Sequence, residues 1–152
     1  MKDAVITPLV GATILVATIA GCSSGHINVG GQSVSTNGHA KVTVDGKDQN
    51  VNGQVTCQKA GGELQISIGQ PGSSTAIAVQ ATDTNPPNVH QIALGTVNNV
   101  TLTYQQGAPG ASATATQNGN DYKFSGTATG VDKTNLTAGL VSRPFEIDVT
   151  CP

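Results

Sequence analysis

The sequence predicts an all-β domain, an antiparallel β-sandwich or open barrel, and three observations lead there. Apolar and polar residues alternate with a period of two over most of the chain after residue 40. Turn-forming dipeptides separate the alternating segments at intervals of roughly 8–12 residues. No stretch in this region carries an apolar stripe at helical spacing. Composition agrees: Val and Thr are β-branched, and the 19 glycines suit turns better than helices.

Candidate strands, in order, are 41–45, 54–58, 63–68, 75–82, 89–94, 99–104, 112–117, 122–129 and 145–151. Leu64, Ile66 and Ile68 form one inward face, and Ile77, Val79 and Ala81 a second. Val100, Leu102 and Tyr104 form a third, Tyr122 and Phe124 a fourth. The breaks carry turn chemistry at Asp45-Gly46, Gly61-Gly62, Pro71-Gly72, Pro109-Gly110 and Asn118-Gly119. The last of these, between Ala/Thr alternation and Tyr122-Lys123-Phe124, is the clearest hairpin. Asn85-Pro86-Pro87-Asn88 excludes helix locally. Residues 131–143 are the least regular and read as a long surface loop. Ala, Thr and Gly at many inward positions imply a thin core.

Near the start, residues 4–20 carry no charge and consist mainly of Ala, Val, Ile, Leu and Thr. The run ends at Ile19-Ala20-Gly21-Cys22. Small residues before a cut fit the signal-peptidase pocket, and a thiol immediately after it can take a thioether-linked diacylglycerol. This pattern resembles the lipobox of bacterial lipoproteins, with cleavage before Cys22. A transmembrane anchor is the competing reading, but the run sits at the short edge of the roughly 17–25 residues a span requires and contains Pro8. The reading therefore divides the chain into a signal peptide (1–21), an acylated Cys22 with a flexible tether (22–40) and a β-domain (41–152). The tether is rich in Ser, Gly and Asn without a repeating period, which gives a span of roughly 23 Å. Its two histidines, His26 and His39, have no Cys, Asp or His at metal-ligand spacing and read as solvated.

Cys57 and Cys151 remain, and in an exported domain two cysteines read as one disulfide. Each ends a Val-Thr-Cys triplet. Phe145, Ile147, Val149 and Cys151 share one face of their strand, while Glu146, Asp148 and Thr150 face water. The bond is expected inside or at the rim of the core, where it would compensate for thin packing.

The formal net charge of −2 leaves no surplus of Lys or Arg to neutralise phosphates, which argues against a nucleic-acid partner. It equally argues against a polybasic membrane patch, so membrane contact is expected through the covalent lipid. No catalytic set, phosphate loop, metal-spaced cluster or cofactor motif stands out. His90 falls on a candidate strand with Ile92 and Leu94 and reads as a partly buried, hydrogen-bonded histidine. Asp45, Asp48 and Asn50 around Gly46 lack most of an EF-hand pattern and read as a polar turn.

Several longer motifs resemble the mycobacterial 19-kilodalton lipoprotein antigen family. They are the lipobox with Ser23-Ser24, Val44-Asp45-Gly46-Lys47-Asp48-Gln49-Asn50-Val51, Val55-Thr56-Cys57 and Asn85-Pro86-Pro87. To these belong Tyr122-Lys123-Phe124-Ser125-Gly126-Thr127-Ala128-Thr129-Gly130-Val131-Asp132 and Phe145-Glu146-Ile147-Asp148-Val149-Thr150-Cys151. The resemblance implies a non-enzymatic cell-envelope lipoprotein acylated at Cys22, on the extracytoplasmic face of the membrane. It further implies a surface antigen, an agonist of host Toll-like receptor 2 through its acyl chains, and an adhesin-like, mannosylated protein. One departure is plain: the family prototype has a Thr-rich tether, and this tether offers only Thr36 with a few serines. Two other functions stay open at this point. An apolar cavity large enough for an acyl chain would favour a periplasmic lipid or glycolipid carrier. A carboxylate within hydrogen-bond reach of an exposed His90 would favour a small enzyme.

Overall fold

The structure, a computed structural model, describes residues 27–29, 32–35, 38–51, 53–70 and 72–152. Its strands are β1 (Ile27–Val29), β2 (Gln32–Ser35), β3 (His39–Val44), β4 (Lys47–Asp48), β5 (Val55–Ala60) and β6 (Glu63–Ile68). They continue with β7 (Ile77–Thr82), β8 (Val89–Val97), β9 (Val100–Gln105), β10 (Ser112–Asn118), β11 (Asp121–Asp132) and β12 (Leu140–Thr150). All belong to one antiparallel sheet, with eleven in the order β1-β2-β5-β6-β7-β8-β9-β11-β12-β3-β4 and β10 off this path, paired to β11. The long strand β11 has β12 along one edge, and β10 then β9 along the other. The sheet curls into a half-barrel, so β5, from the first half of the path, meets the β12–β3 end. There Cys57 of β5 is bonded to Cys151, just past β12, with Cα atoms 5.8 Å apart. The predicted all-β class and disulfide are both observed.

Curling places the alternating apolar faces on one continuous core. Every inward face named from the sequence is buried, and Leu64, Ile92, Phe124 and Ile147 are fully enclosed. The expectation of a thin core is corrected: Ile, Leu, Val, Phe and Tyr fill most of the interior, with Ala81 and Ala128 the buried alanines. Ala113 and Ala115 lie on β10, at the margin of this core, where only part of each side chain is covered. Alternation alone cannot distinguish a central strand from such a marginal one.

Turn chemistry sets the register. Asp45-Gly46, Gly61-Gly62 and Asn98-Asn99 each have positive φ at both central residues, as a type I′ hairpin turn requires. The third was missed, because Asn99 reads from sequence as the first residue of a strand. In the β10–β11 hairpin the central residues are Gly119-Asn120, one later than expected, and Gly119 alone of the two has positive φ. The 131–143 loop is shorter than expected. β11 runs to Asp132, β12 begins at Leu140, and a short 3-10 turn at Leu136–Ala138 lies between them. Residues 140–144 are exposed on one face and only half-buried on the other, at Val141 and Arg143, so they carry no clear apolar alternation to read. Two short strands, β1 and β2, lie within the segment expected as tether, with Ser33, Val34 and Ser35 paired to Lys59, Gln58 and Cys57.

Candidate functional site

The lipobox residues Ile19, Ala20 and Gly21, and Cys22 itself, lie outside the described residues. What can be built from side chains upward is the seam that closes the domain and the surfaces beside it.

At the seam, the Val-Thr-Cys triplets of β5 and β12 each turn their Val and Cys inward. Val55, Cys57, Val149 and Cys151 are all buried, so the disulfide is part of the core. The Cys151 N–H donates to the Asn120 carbonyl at 2.9 Å, which fixes the chain end against the β10–β11 turn. Two residues beyond Cys57, the Lys59 ammonium lies 2.8 Å from an Asp83 carboxylate oxygen and 5.6 Å from the centre of the Tyr122 ring. The Asp83 carboxylate, with a smaller contribution from Tyr122, raises the pKa of Lys59. Tyr122 accepts from Gln117 Nε2 at 3.0 Å and stacks nearly parallel to Phe124 at 6.3 Å. Lys59 and Asp83 are each about a third exposed, so the pair contributes at most about 1 kcal/mol. The seam's strength comes from the covalent bond and the buried apolar face.

Outward, β10, β11, β12 and β3 present a polar face. Register places Thr116, Lys123, Asp148 and Lys41 in one row across the four strands. Lys123 Nζ lies 2.9 Å from Glu146 and 3.4 Å from Asp148. Hydrogen bonding from Lys123 holds the Glu146 carboxyl below its ordinary pKa, and the same contact raises that of Lys123. An open groove of about 510 Å³ crosses this face, lined by His39, Lys41, Asn118, Asp121 and Asp148 among others. It is an open surface trough that mixes charged side chains with Ala40, Tyr122 and Val149, rather than an enclosed sleeve.

His90 was expected on the face of Ile92 and Leu94, but the β7–β8 register passes from Gln80↔Gln91 to Ala81↔Val89, leaving His90 as a bulge residue. That extra residue turns the ring away from the core, where Nδ1 lies 3.2 Å from Gln106 Oε1. The Gln106 amide in turn donates to Asn88. The ring thus meets an amide rather than a carboxylate. Asp48 accepts from the Asn50 N–H at 2.8 Å, and Asp45 faces Arg143 at 3.9 Å, as a polar turn would. Among the described residues no group of three or more His, Cys, Asp or Glu converges to hold a metal ion.

With the half-barrel and its disulfide in place, comparison with known proteins is decisive. The family model described as Mycobacterium 19 kDa lipoprotein antigen matches residues 33–151. This chain belongs to that family. Lipoprotein LpqH of Mycobacterium avium is 46% identical, with 93% of this chain and 92% of the relative covered. Lipoprotein LpqH of Mycobacterium tuberculosis strain H37Rv is 45% identical, with 99% of each chain covered. A putative lipoprotein of Mycobacteroides abscessus is 32% identical, again over 99% of each chain. The resemblance read from the sequence motifs is confirmed, and the family is one of lipoprotein antigens rather than enzymes. Its model covers β3 to β12 entirely and ends on Cys151, so the region that defines the family is the disulfide-closed half-barrel.

Sequence reasoning missed one surface. The end of the β11–β12 hairpin carries exposed Val131, Leu136 and Leu140. Those apolar residues were visible in the sequence, but without a period they gave no sign of lying together.

Proposed function

We propose that this protein is a non-enzymatic cell-envelope lipoprotein, held on the extracytoplasmic face of the membrane by acyl chains on Cys22. The observation that carries the reading is Ile19-Ala20-Gly21-Cys22 directly after an uncharged apolar run near the start of the chain. Relatives named as lipoproteins align with nearly the whole of this chain, which supports the same processing here. Removal of residues 1–21 leaves Cys22 as the first residue. Two or more acyl chains on one cysteine suffice for stable anchoring, where a single chain holds only marginally, since each buried methylene contributes about 0.8 kcal/mol. The groups presented to a host are then the lipidated amino terminus and the half-barrel. The acyl chains are the ligand for Toll-like receptor 2, and the folded domain is the antigen and adhesin-like part.

Replacement Cys22→Ser tests this reading. The variant should accumulate as uncleaved precursor and lose Toll-like receptor 2 signalling. Equal signalling from wild type and variant would overturn the acyl-chain mechanism.

A further inference from the structure

Asn-Gly occurs three times in the chain, at Asn37-Gly38, Asn52-Gly53 and Asn118-Gly119. The pair is chemically labile because the backbone nitrogen of the second residue can attack the side-chain amide carbon of the first. Glycine sets no Cβ in the path of that attack. The new N–Cγ bond closes a succinimide ring, and the side-chain amide nitrogen leaves as ammonia, taking up the backbone N–H proton. Water then opens the ring. Cleavage of the N–Cγ bond gives aspartate, and cleavage of the original peptide bond gives isoaspartate, whose backbone runs through Cβ. The net change is one amide and one water for one carboxylate and one ammonium ion, with nothing oxidised or reduced.

The fold separates the three glycines. A Cβ at Gly38 would collide with the Thr150 carbonyl oxygen and with Val55, and one at Gly53 with the backbone of Gly69. Both backbones are thus pressed against a neighbouring segment, which opposes the swing of the Asn–Gly peptide that ring closure requires. At Gly119 a Cβ would meet nothing within 4 Å. Asn118 and Gly119 are both exposed, at the point where β10 enters its turn. Among the described residues neither the Asn118 side-chain amide nor the Gly119 N–H has a hydrogen-bond partner, so both reacting groups are free.

We propose that Asn118 is a site of spontaneous, charge-changing modification, converted by water to aspartate and isoaspartate while Asn37 and Asn52 keep their amides in the folded protein. The domain then exists in two charge forms that differ in the polar groove, which Asn118 lines together with Lys41, Asp121 and Asp148. Asn118 and Asp121 form the closing rung of the β10–β11 hairpin. A carboxylate at residue 118 therefore stands opposite Asp121, and like charges directly opposite weaken a rung. In the isoaspartyl form an added methylene also lengthens the turn whose Asn120 carbonyl holds the Cys151 N–H.

The test keeps purified mature protein in warm, mildly alkaline buffer and follows each Asn-Gly pair over time by peptide mass spectrometry. A parallel sample is reduced and unfolded in guanidinium chloride. In the folded protein Asn118 should convert several-fold faster than Asn37 or Asn52, and in the unfolded chain the three rates should draw together. Ion-exchange chromatography should show an acidic form of the folded protein growing at the rate of Asn118 conversion. Asn118→Gln, whose longer side chain cannot close the same ring, should lack that form. Retention of the Asn118 amide in folded protein, under conditions where the unfolded chain converts, would overturn the proposal. So would conversion of Asn37 or Asn52 as fast as Asn118 in the folded state, or the same acidic form growing in Asn118→Gln.

Discussion

Breaking the Cys57–Cys151 bond is the most informative perturbation of the fold. The two residues are 94 apart in sequence, so the bond closes nearly the whole folded region into one loop. For a loop of that length the chain-entropy model gives roughly 4.5 kcal/mol of stabilisation. Structure adds a reason to expect most of it to be realised: the bond joins β5 to the β12–β3 end of a curled sheet, and the sheet path itself pairs β5 only with β2 and β6. Without the bond, curling depends on side-chain packing alone. The double variant Cys57→Ala/Cys151→Ala removes it without leaving a buried hydroxyl or free thiol, since both positions are buried. At about 4 °C per kcal/mol for a domain this size, Tm should fall on the order of 15 °C. Equilibrium urea unfolding of oxidised wild type, reduced wild type and the double variant gives the free energies directly. The reduced and double-variant proteins should agree with each other. A loss below about 1 kcal/mol in both would refute the view that the bond holds the sheet closed.

Three further expectations follow from particular side chains. Phe124→Ala empties a fully enclosed position stacked on Tyr122, and should cost about 3–5 kcal/mol in urea unfolding. Gly130→Ala sets a methyl against the Thr101 carbonyl oxygen on the neighbouring strand. Because β9 and β11 must separate to accommodate it, a loss of about 1–3 kcal/mol is expected, again by urea unfolding. On the polar face, Glu146 has its pKa lowered by Lys123, so its contribution is present above the ordinary value of 4.5 and is lost as pH falls through the folded one. Lys123→Gln should move the Glu146 titration upward, read by carboxyl NMR shifts, and remove that part of the acid destabilisation.

Much of the fold was legible because strand alternation and turn chemistry are local. The Leu64, Ile77, Val100 and Phe145 faces announce themselves by period, and Asp45-Gly46 and Gly61-Gly62 by their tolerance of positive φ. The disulfide was legible from reading residues 1–21 as an export signal, together with the matching Val-Thr-Cys triplets. What failed was non-local. His90 changes face because of one extra residue in a bulge, which depends on the partner strand's register. Residues 140–144 look irregular because both faces of that hairpin are partly exposed, although their backbone is fully paired to β11. The exposed Leu136 and Leu140 become a patch only when the hairpin brings them to one end.

The central claim is that Cys22 is the acylated first residue of the mature protein, and intact-mass and peptide mass spectrometry of protein from its own host tests it most directly. The account predicts a chain beginning at Cys22 whose amino-terminal peptide is heavier by a diacylglyceryl group or more. A mature chain that begins elsewhere, or an unmodified Cys22, would contradict it.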